Sequence, residues 1–271
     1  MGNALFIVWR ETIEAMLVIG ILHGWLRARP EARAGFPWLW GGIAAGLGLA
    51  VFLAVTIMDI RSWVSADALE WFQAFMPIIA CSLIFQMVWW MRRHGAGLKK
   101  ELETGMQSAA DRANWLGIAV LAAVAVGREG AETVVFLYGA VKGSPNADIA
   151  LGGAAGLMLA LAAYWLLSRG SRFVSWRAFF RVTEVLLLLL GGALLVDGTE
   201  KLIGLEALPA LVDPLWNTSA LLDDGTRVGG LVAAFTGYRA APSGMAYALL
   251  TAYWALALGV LLKIKPRRQK A

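Results

Sequence analysis

The sequence predicts an all-α polytopic membrane protein with seven transmembrane helices. They form two inverted three-helix repeats plus a seventh helix, with the N-terminus outside and the C-terminus inside. Three observations carry this reading. Hydrophobic residues fill 59% of the 271 positions and charged ones only 16%, against about 45–50% and about 25% in soluble chains. The apolar excess is gathered into runs of about twenty residues, the length that crosses a hydrocarbon core of ~30 Å as helix. A charged motif recurs at corresponding places in the two halves. The runs are too continuous for the alternation of a β-barrel.

In chain order the expected spans are roughly 3–25, 38–58, 71–91, 115–141, 149–168, 182–203 and 243–262. The first is expected to be a retained helix rather than a cleavable signal, because it lacks a basic leading region and carries charge from Arg10 onward. Connections are short except for the outer loop 204–242. The chain therefore reads as a single transmembrane domain, 1–271, with repeat one at 1–91 and repeat two at 110–203. A lone Cys81 excludes an internal disulfide and a cysteine-based zinc site, and two histidines exclude a histidine cage.

Lys and Arg predict the orientation. Seventeen fall in one set of connections and five in the other. The first set holds Arg27, Arg29 and Arg33, the 92–112 connection, the 169–181 connection and the C-terminal tail. The positive-inside rule makes that set cytoplasmic, so the net charge of +5 is topological and no nucleic-acid partner is implied. The outer connections carry Asp59, Asp67, Glu70, Asp148, Glu206, Asp213, Asp223 and Asp224. They read either as a solvated surface or as a vestibule that attracts cations. Trp38, Trp40, Trp71, Trp89, Trp90, Trp115 and Trp254 lie near span ends, as an interfacial belt requires.

The informative charges lie inside two spans. Span one reads Arg10-Glu11-Thr12-Ile13-Glu14, and span four reads Arg128-Glu129-Gly130-Ala131-Glu132. An ionised group at mid-bilayer costs about 2.5–3.5 kcal/mol, so six facing lipid would cost on the order of 15–20 kcal/mol. They must face one another, a cavity or an ion. Residues three apart share a helix face, which pairs Glu11 with Glu14 and Glu129 with Glu132; Arg10 reaches Glu14 and Arg128 reaches Glu132 at i,i+4. Four carboxylates against two guanidiniums leave a formal charge of −2, which calls for a cation. Carboxylate oxygens are hard donors. Fe³⁺ suits them, and Fe²⁺, Mn²⁺, Mg²⁺ and Ca²⁺ stay chemically open. Internal salt bridges alone would leave Glu11 and Glu129 without a purpose, since buried ion pairs stabilise weakly.

The duplication extends past the motif. Gly42 and Gly46 in span two, and Gly152 and Gly156 in span five, form small-xxx-small surfaces that permit close helix approach. Spans three and six begin with the aromatic pairs Trp71-Phe72 and Phe179-Phe180. Three spans per repeat is odd, so the halves run oppositely through the membrane, a recurring transporter plan with its site near the midplane. Glu11 is then level with Glu132 and Glu14 with Glu129.

The paired R-E-x-x-E motifs resemble the signature of the oxidase-dependent iron permease family, which takes in the fungal high-affinity iron permeases and bacterial EfeU-like iron permeases. The stretch from Trp216-Asn217-Thr218-Ser219 to Gly237-Tyr238-Arg239-Ala240-Ala241-Pro242-Ser243 is similar to the segment before the last helix of bacterial members. The resemblance covers nearly the whole chain. It implies a multi-pass permease of the cytoplasmic membrane that imports iron ions, not an enzyme and without a resident cofactor. It implies Glu11, Glu14, Glu129 and Glu132 as the iron site, with Arg10 and Arg128 as their partners. It also implies a periplasmic cupredoxin-like protein and a haem peroxidase beside bacterial members, or a multicopper oxidase beside fungal ones. Thr12 departs from the family's pattern, which has Gly after the first Glu as Gly130 does here; its hydroxyl is either a ligand or a bar to close approach.

Asp197 and Glu200 repeat the i,i+3 acidic spacing near the outer end of span six. They read either as a second ion-handling point or as a helix end neutralised by Lys201. Asp223 and Asp224 read as iron collectors or as solvated loop, and Glu184 as snorkelling or as a partner of Arg181. No phosphate-cradling G-x-x-x-x-G-K-[ST] occurs, so ATP is not the expected direct energy source. The membrane potential supplies roughly 7 kcal/mol for a trivalent ion moving inward through 100 mV. The alternatives are a permease for another cation such as Mn²⁺ or Pb²⁺, an intramembrane metalloenzyme, and a metal sensor. Against the metalloenzyme, di-iron bundles use Glu-x-x-His, and no histidine stands near either motif.

Overall fold

The computed structural model describes residues 2–94, 97–112, 114–140, 146–168 and 176–263. Lys142, Arg169, Arg172, Lys265, Arg267, Arg268 and Lys270, counted above for orientation, lie outside the described residues. Those residues form nine α-helices and one short 3-10 helix, Pro30–Gly35: α1 (Gly2–Arg27), α2 (Phe36–Trp63), α3 (Ala66–His94), α4 (Leu98–Asp111), α5 (Trp115–Ala140), α6 (Asn146–Ser168), α7 (Trp176–Gly204), α8 (Arg227–Thr236) and α9 (Gly244–Lys263).

Four stretches are long and apolar enough to cross a membrane: Pro30–Asp59, Ala66–Arg93, Ala147–Leu166 and Arg181–Gly204. Gly244–Val260 is a shorter apolar helix. Helices α1 and α5 have 26 residues each. Any 18-residue window within either contains the three charges of its motif. Burial separates the helices into two classes. Only 17% of the apolar stretches of α2 and α6 is buried, against 61% in α7. Leu47, Leu49, Val51, Phe52 and Val55 on α2, and Leu157, Met158, Leu159 and Leu161 on α6, face outward. Such apolar surface on both flanks is what lipid contact requires.

Helix directions follow from close contacts. A Cβ on Gly42 would collide with the backbone of Ala119; Gly46 faces Ala123 and Gly127, and Gly130 faces Ala50. Positions rise together, so α2 runs parallel to α5. On the other flank Gly156 lies against Leu5 and Trp9, and Gly20 against Tyr164, so α6 runs parallel to α1. Glycine removes the side chain that would hold the backbones apart, and packing then substitutes for the hydrophobic drive that lipid does not provide. Asn3 Nδ2 donates to the Ala140 carbonyl, while Leu22 and Leu26 pack with Ile118 and Ala122, so α1 and α5 are antiparallel. Gly198 lies against Ala74 and Ile78, and Gly191 against Ile84, which makes α3 and α7 antiparallel as well.

Two large apolar clusters fill the interior, with a small third one of Ile13 and Ala160 between α1 and α6. One gathers Phe6, Ile7, Ala80, Ile84, Phe136 and Leu190; the other gathers Val18, Leu22, Leu26, Ile118, Ala122 and Val126. Both motifs fall in the sequence gap between them, residues 10–14 of α1 and 128–132 of α5.

Two elements differ from the sequence reading. The connection between the halves holds the amphipathic α4, whose Leu102, Met106, Ala109 and Ala110 pack on the second cluster; fourteen residues with one apolar face are too short and too polar to register as a span. The long segment 204–242 is not an open loop. Thr226 Oγ1 caps α8 by accepting from Gly229 N, and α8 ends at Gly237 (φ 72°), packed on Gly192 and Ala193 of α7. Its Phe235 meets Phe6 edge-on at 6.1 Å. Backbone bonds from Leu215 to Pro242 and from Gly244 to Val212 fasten the segment to the start of α9. Glu184 pairs with Arg92 of α3; the local partner Arg181 expected from sequence yields to one brought in by the α3–α7 packing.

Candidate metal site

Each motif folds into one face of an uninterrupted helix, and each arginine reaches back over its own glutamates. Arg10 Nη1 donates to Glu11 Oε1 at 2.6 Å, and its Nη2 pairs with Glu14. Arg128 Nη2 donates to Glu129 Oε1 at 2.8 Å, and its Nε lies 3.4 Å from Glu132. Antiparallel packing of α1 and α5 then brings the two faces together. Oxygens of Glu11, Glu14 and Glu129 all lie within 4.8 Å of one another. Glu132 is tied to this group through Arg128 and stands at its more open edge.

The two halves of the site differ in burial. Arg10, Glu11 and Glu129 are 1%, 2% and 4% exposed, whereas the side chains of Arg128 and Glu132 are 43% and 18% exposed. Arg10 Nη2 lies against the sulfurs of Met87 and Met91, while the Arg128 guanidinium stacks over Trp90, 5.0 Å from the ring centroid. These partners from α3 were not read from the sequence. Their signal was present in Met87-Val88-Trp89-Trp90-Met91, where both methionines stand four apart on one helix face.

The arginines leave the site short of donors. Glu11 Oε2, Glu129 Oε2 and Glu132 Oε2 are buried with no hydrogen-bond partner. A buried acceptor without a donor costs about 1–3 kcal/mol, and more when charged. One cation could satisfy several of them at once. Three oxygens sharing one cation at about 2.0–2.2 Å can stand at most about 3.5–3.8 Å from one another, so oxygens that already lie within 4.8 Å reach that geometry by drawing in about an ångström. The donor set is carboxylate, and no Cys or His lies in either motif, which suits a hard ion.

Asp197, Glu200, Asp223 and Asp224, the acidic residues weighed from sequence as further ion-handling points, lie elsewhere and are partnered. Asp197 pairs with Lys201 at 3.1 Å and Arg239 at 3.6 Å. Glu200 accepts from Ser243 Oγ at 2.9 Å, and Ser243 Oγ in turn accepts from Ala246 N at the start of α9. Asp223 accepts from Gly225 N in a tight turn, and Asp224 lies 3.5 Å from Arg239. Thr12 is half-buried; one step of 100° turns it away from the Glu11/Glu14 face.

Residues 1–267 match the model of the family described as "Iron permease FTR1 family". The chain is 28% identical over 266 residues to "Ferrous iron permease EfeU" of Shigella sonnei (strain Ss046), covering 96% of this chain and 95% of that protein. The protein of the same name from Escherichia coli O157:H7 matches equally. The one from Yersinia pestis is 24% identical over 267 residues, covering 96% and 93%. No solved structure matches. The chain is a multi-pass transporter of the cytoplasmic membrane, not an enzyme, and it belongs to the iron permease FTR1 family.

Proposed function

We propose that the chain imports iron ions, Fe²⁺ or Fe³⁺, through a mid-membrane site made by the four glutamates of its two R-E-x-x-E motifs. One observation carries the reading: carboxylates from two antiparallel helices converge within 4.8 Å, and three buried oxygens of the two motifs have no donor. Buried anionic oxygens so close together repel one another, and a cation shared between them removes that repulsion. The ferrous iron named in the relatives' descriptions fits the donor set.

The same proposal includes seven spans in two inverted halves, 1–91 and 110–203, with α1, α2 and α3 corresponding to α5, α6 and α7. Helix directions support it. In each half the glycine face of the second helix packs, parallel, on the motif helix of the other half, as a two-fold axis in the membrane plane would require. Helices α1 and α5 are counted as spans because their charges turn inward to the site. Phe6, Ile7 and Phe136 close the site on one side, and Val18, Leu22, Ile118 and Ala122 on the other. Transport therefore needs each seal to open in turn, with water replaced by carboxylate between the two openings. The test is uptake into proteoliposomes under controlled redox conditions. Glu11→Ala is expected to abolish iron uptake while the protein stays folded; wild-type rates in correctly inserted protein would refute the reading.

A further inference from the structure

Arg10 is enclosed as no other described charge in the molecule is. It is 1% exposed and holds Glu11 at 2.6 Å and Glu14 by a second Nη contact. Two of the three carboxylates that converge within 4.8 Å are therefore already engaged by one guanidinium. An incoming metal ion and Arg10 need the same oxygens, and at 1% exposure Arg10 has almost no surface to offer solvent. The guanidinium nevertheless has other acceptors: its Nη2 lies 2.7 Å from Met87 Sδ and 3.4 Å from Met91 Sδ. Its Nε has no acceptor at all. Arg128 also spans the two glutamates of its motif, but it is 43% exposed, its Nε has an acceptor in Glu129, and it stacks on Trp90.

We propose that Arg10 is a tethered counter-ion that the transported metal ion displaces from Glu11 and Glu14 and that expels the ion by returning to them. The inference rests on the reading of these glutamates as the iron site. Without metal, Arg10 and Arg128 offset two of four negative charges, and the remaining formal charge of −2 attracts the ion. When the ion binds, Glu11 and Glu14 rotate toward it and Arg10 shifts onto the Met87 and Met91 thioethers, polarisable groups that accept weak hydrogen bonds. The methionines hold the guanidinium within reach, so its return is intramolecular and fast. Cation–carboxylate attraction in a dry site would otherwise make release the slow step. Arg10 thus trades affinity for turnover, and the trade can be read in two separate numbers.

The experiment uses full-length protein, with Fe²⁺ kept reduced under anaerobic conditions as the probe. Equilibrium binding is measured in detergent and saturated uptake in proteoliposomes. Arg10→Met removes the competing charge while keeping an unbranched side chain. It is expected to lower Kd at least about tenfold, equivalent to about 1.4 kcal/mol, and to slow saturated uptake at least tenfold. Unchanged or weaker binding would overturn the proposal, since an arginine that only positions the carboxylates loses affinity when removed. If Arg10→Met does not fold, Arg10→Lys decides. An ammonium lacks the fork that spans two carboxylates, so binding about threefold tighter with slower uptake is expected, and equal or weaker binding overturns the idea. Glu129→Gln is the separate control: Fe²⁺ binding that survives it sinks the iron site itself, whatever Arg10 does.

Discussion

Two acidic regions of this molecule use the same side chains to opposite ends. Around the 204–242 segment Asp197, Glu200, Asp223 and Asp224 each have a partner: Lys201 and Arg239, the Ser243 hydroxyl, a turn amide, and Arg239 again. Those carboxylates fasten the 204–242 segment to α7 and α9. Where α1 and α5 meet, Glu11, Glu129 and Glu132 each keep one buried oxygen without a donor, although two arginines stand among them. Abundance of acid is therefore not what marks an ion site. The shortage of donors is, because a protein bears a buried unsatisfied anion only where something else supplies the positive charge.

The contrast can be broken by mutation, and the largest effect is expected at a buried carboxylate where the two motif helices meet. Glu129→Gln removes a charge from the meeting point of α1 and α5 and is expected to cut iron uptake at least about 100-fold, a loss of roughly 3 kcal/mol of ion stabilisation. A radiolabelled-iron assay on correctly inserted protein checks it. Gly42→Val comes next and acts on the scaffold. Its Cβ would meet the Ala119 backbone, so α2 must separate from α5; a loss of roughly 2–4 kcal/mol of stability is expected, seen as reduced yield of monodisperse protein. Glu132→Gln, at the open edge, is expected to reduce uptake about tenfold, less than Glu129→Gln because solvent already shares its charge. Arg239→Ala, which removes the Arg239 contact of Asp224 and leaves Asp197 to Lys201 alone, is expected to cost about 1 kcal/mol or less. Thermal unfolding should fall slightly while uptake stays within about twofold of wild type. If Arg239→Ala instead abolished uptake as Glu129→Gln does, the acids around the 204–242 segment would belong to the ion path and the contrast would fail.

The helices were legible in the sequence because lipid imposes so plain a rule on them. Runs such as 38–58 and 149–168 have no other stable fate, and the α2 and α6 helices cover them with only a few residues of difference at the ends. The close-approach glycines were legible for the same reason, since Gly42, Gly46 and Gly156 have no side chain to place and serve the neighbouring backbone instead. Convergence of the two motifs could be anticipated from the charge cost alone. What lay beyond reach was set by partners distant in sequence. Glu200 shows its capping role only when Ser243 is folded beside it, Glu184 meets Arg92 across 92 positions, and Met87 meets Arg10 across 77. The amphipathic α4 and the folded-back α8 were missed because short helices with one apolar face resemble connecting segments until a core is present to receive them.

The central claim is that glutamate oxygens of both motifs hold the iron directly. X-ray absorption spectroscopy on the iron-loaded, full-length protein tests it most immediately. A first shell of oxygen alone at about 2.0–2.2 Å, disrupted by Glu129→Gln, is the result this account requires. A shell containing sulfur from Met87 or Met91, or one unchanged when Glu129 is replaced, would contradict it.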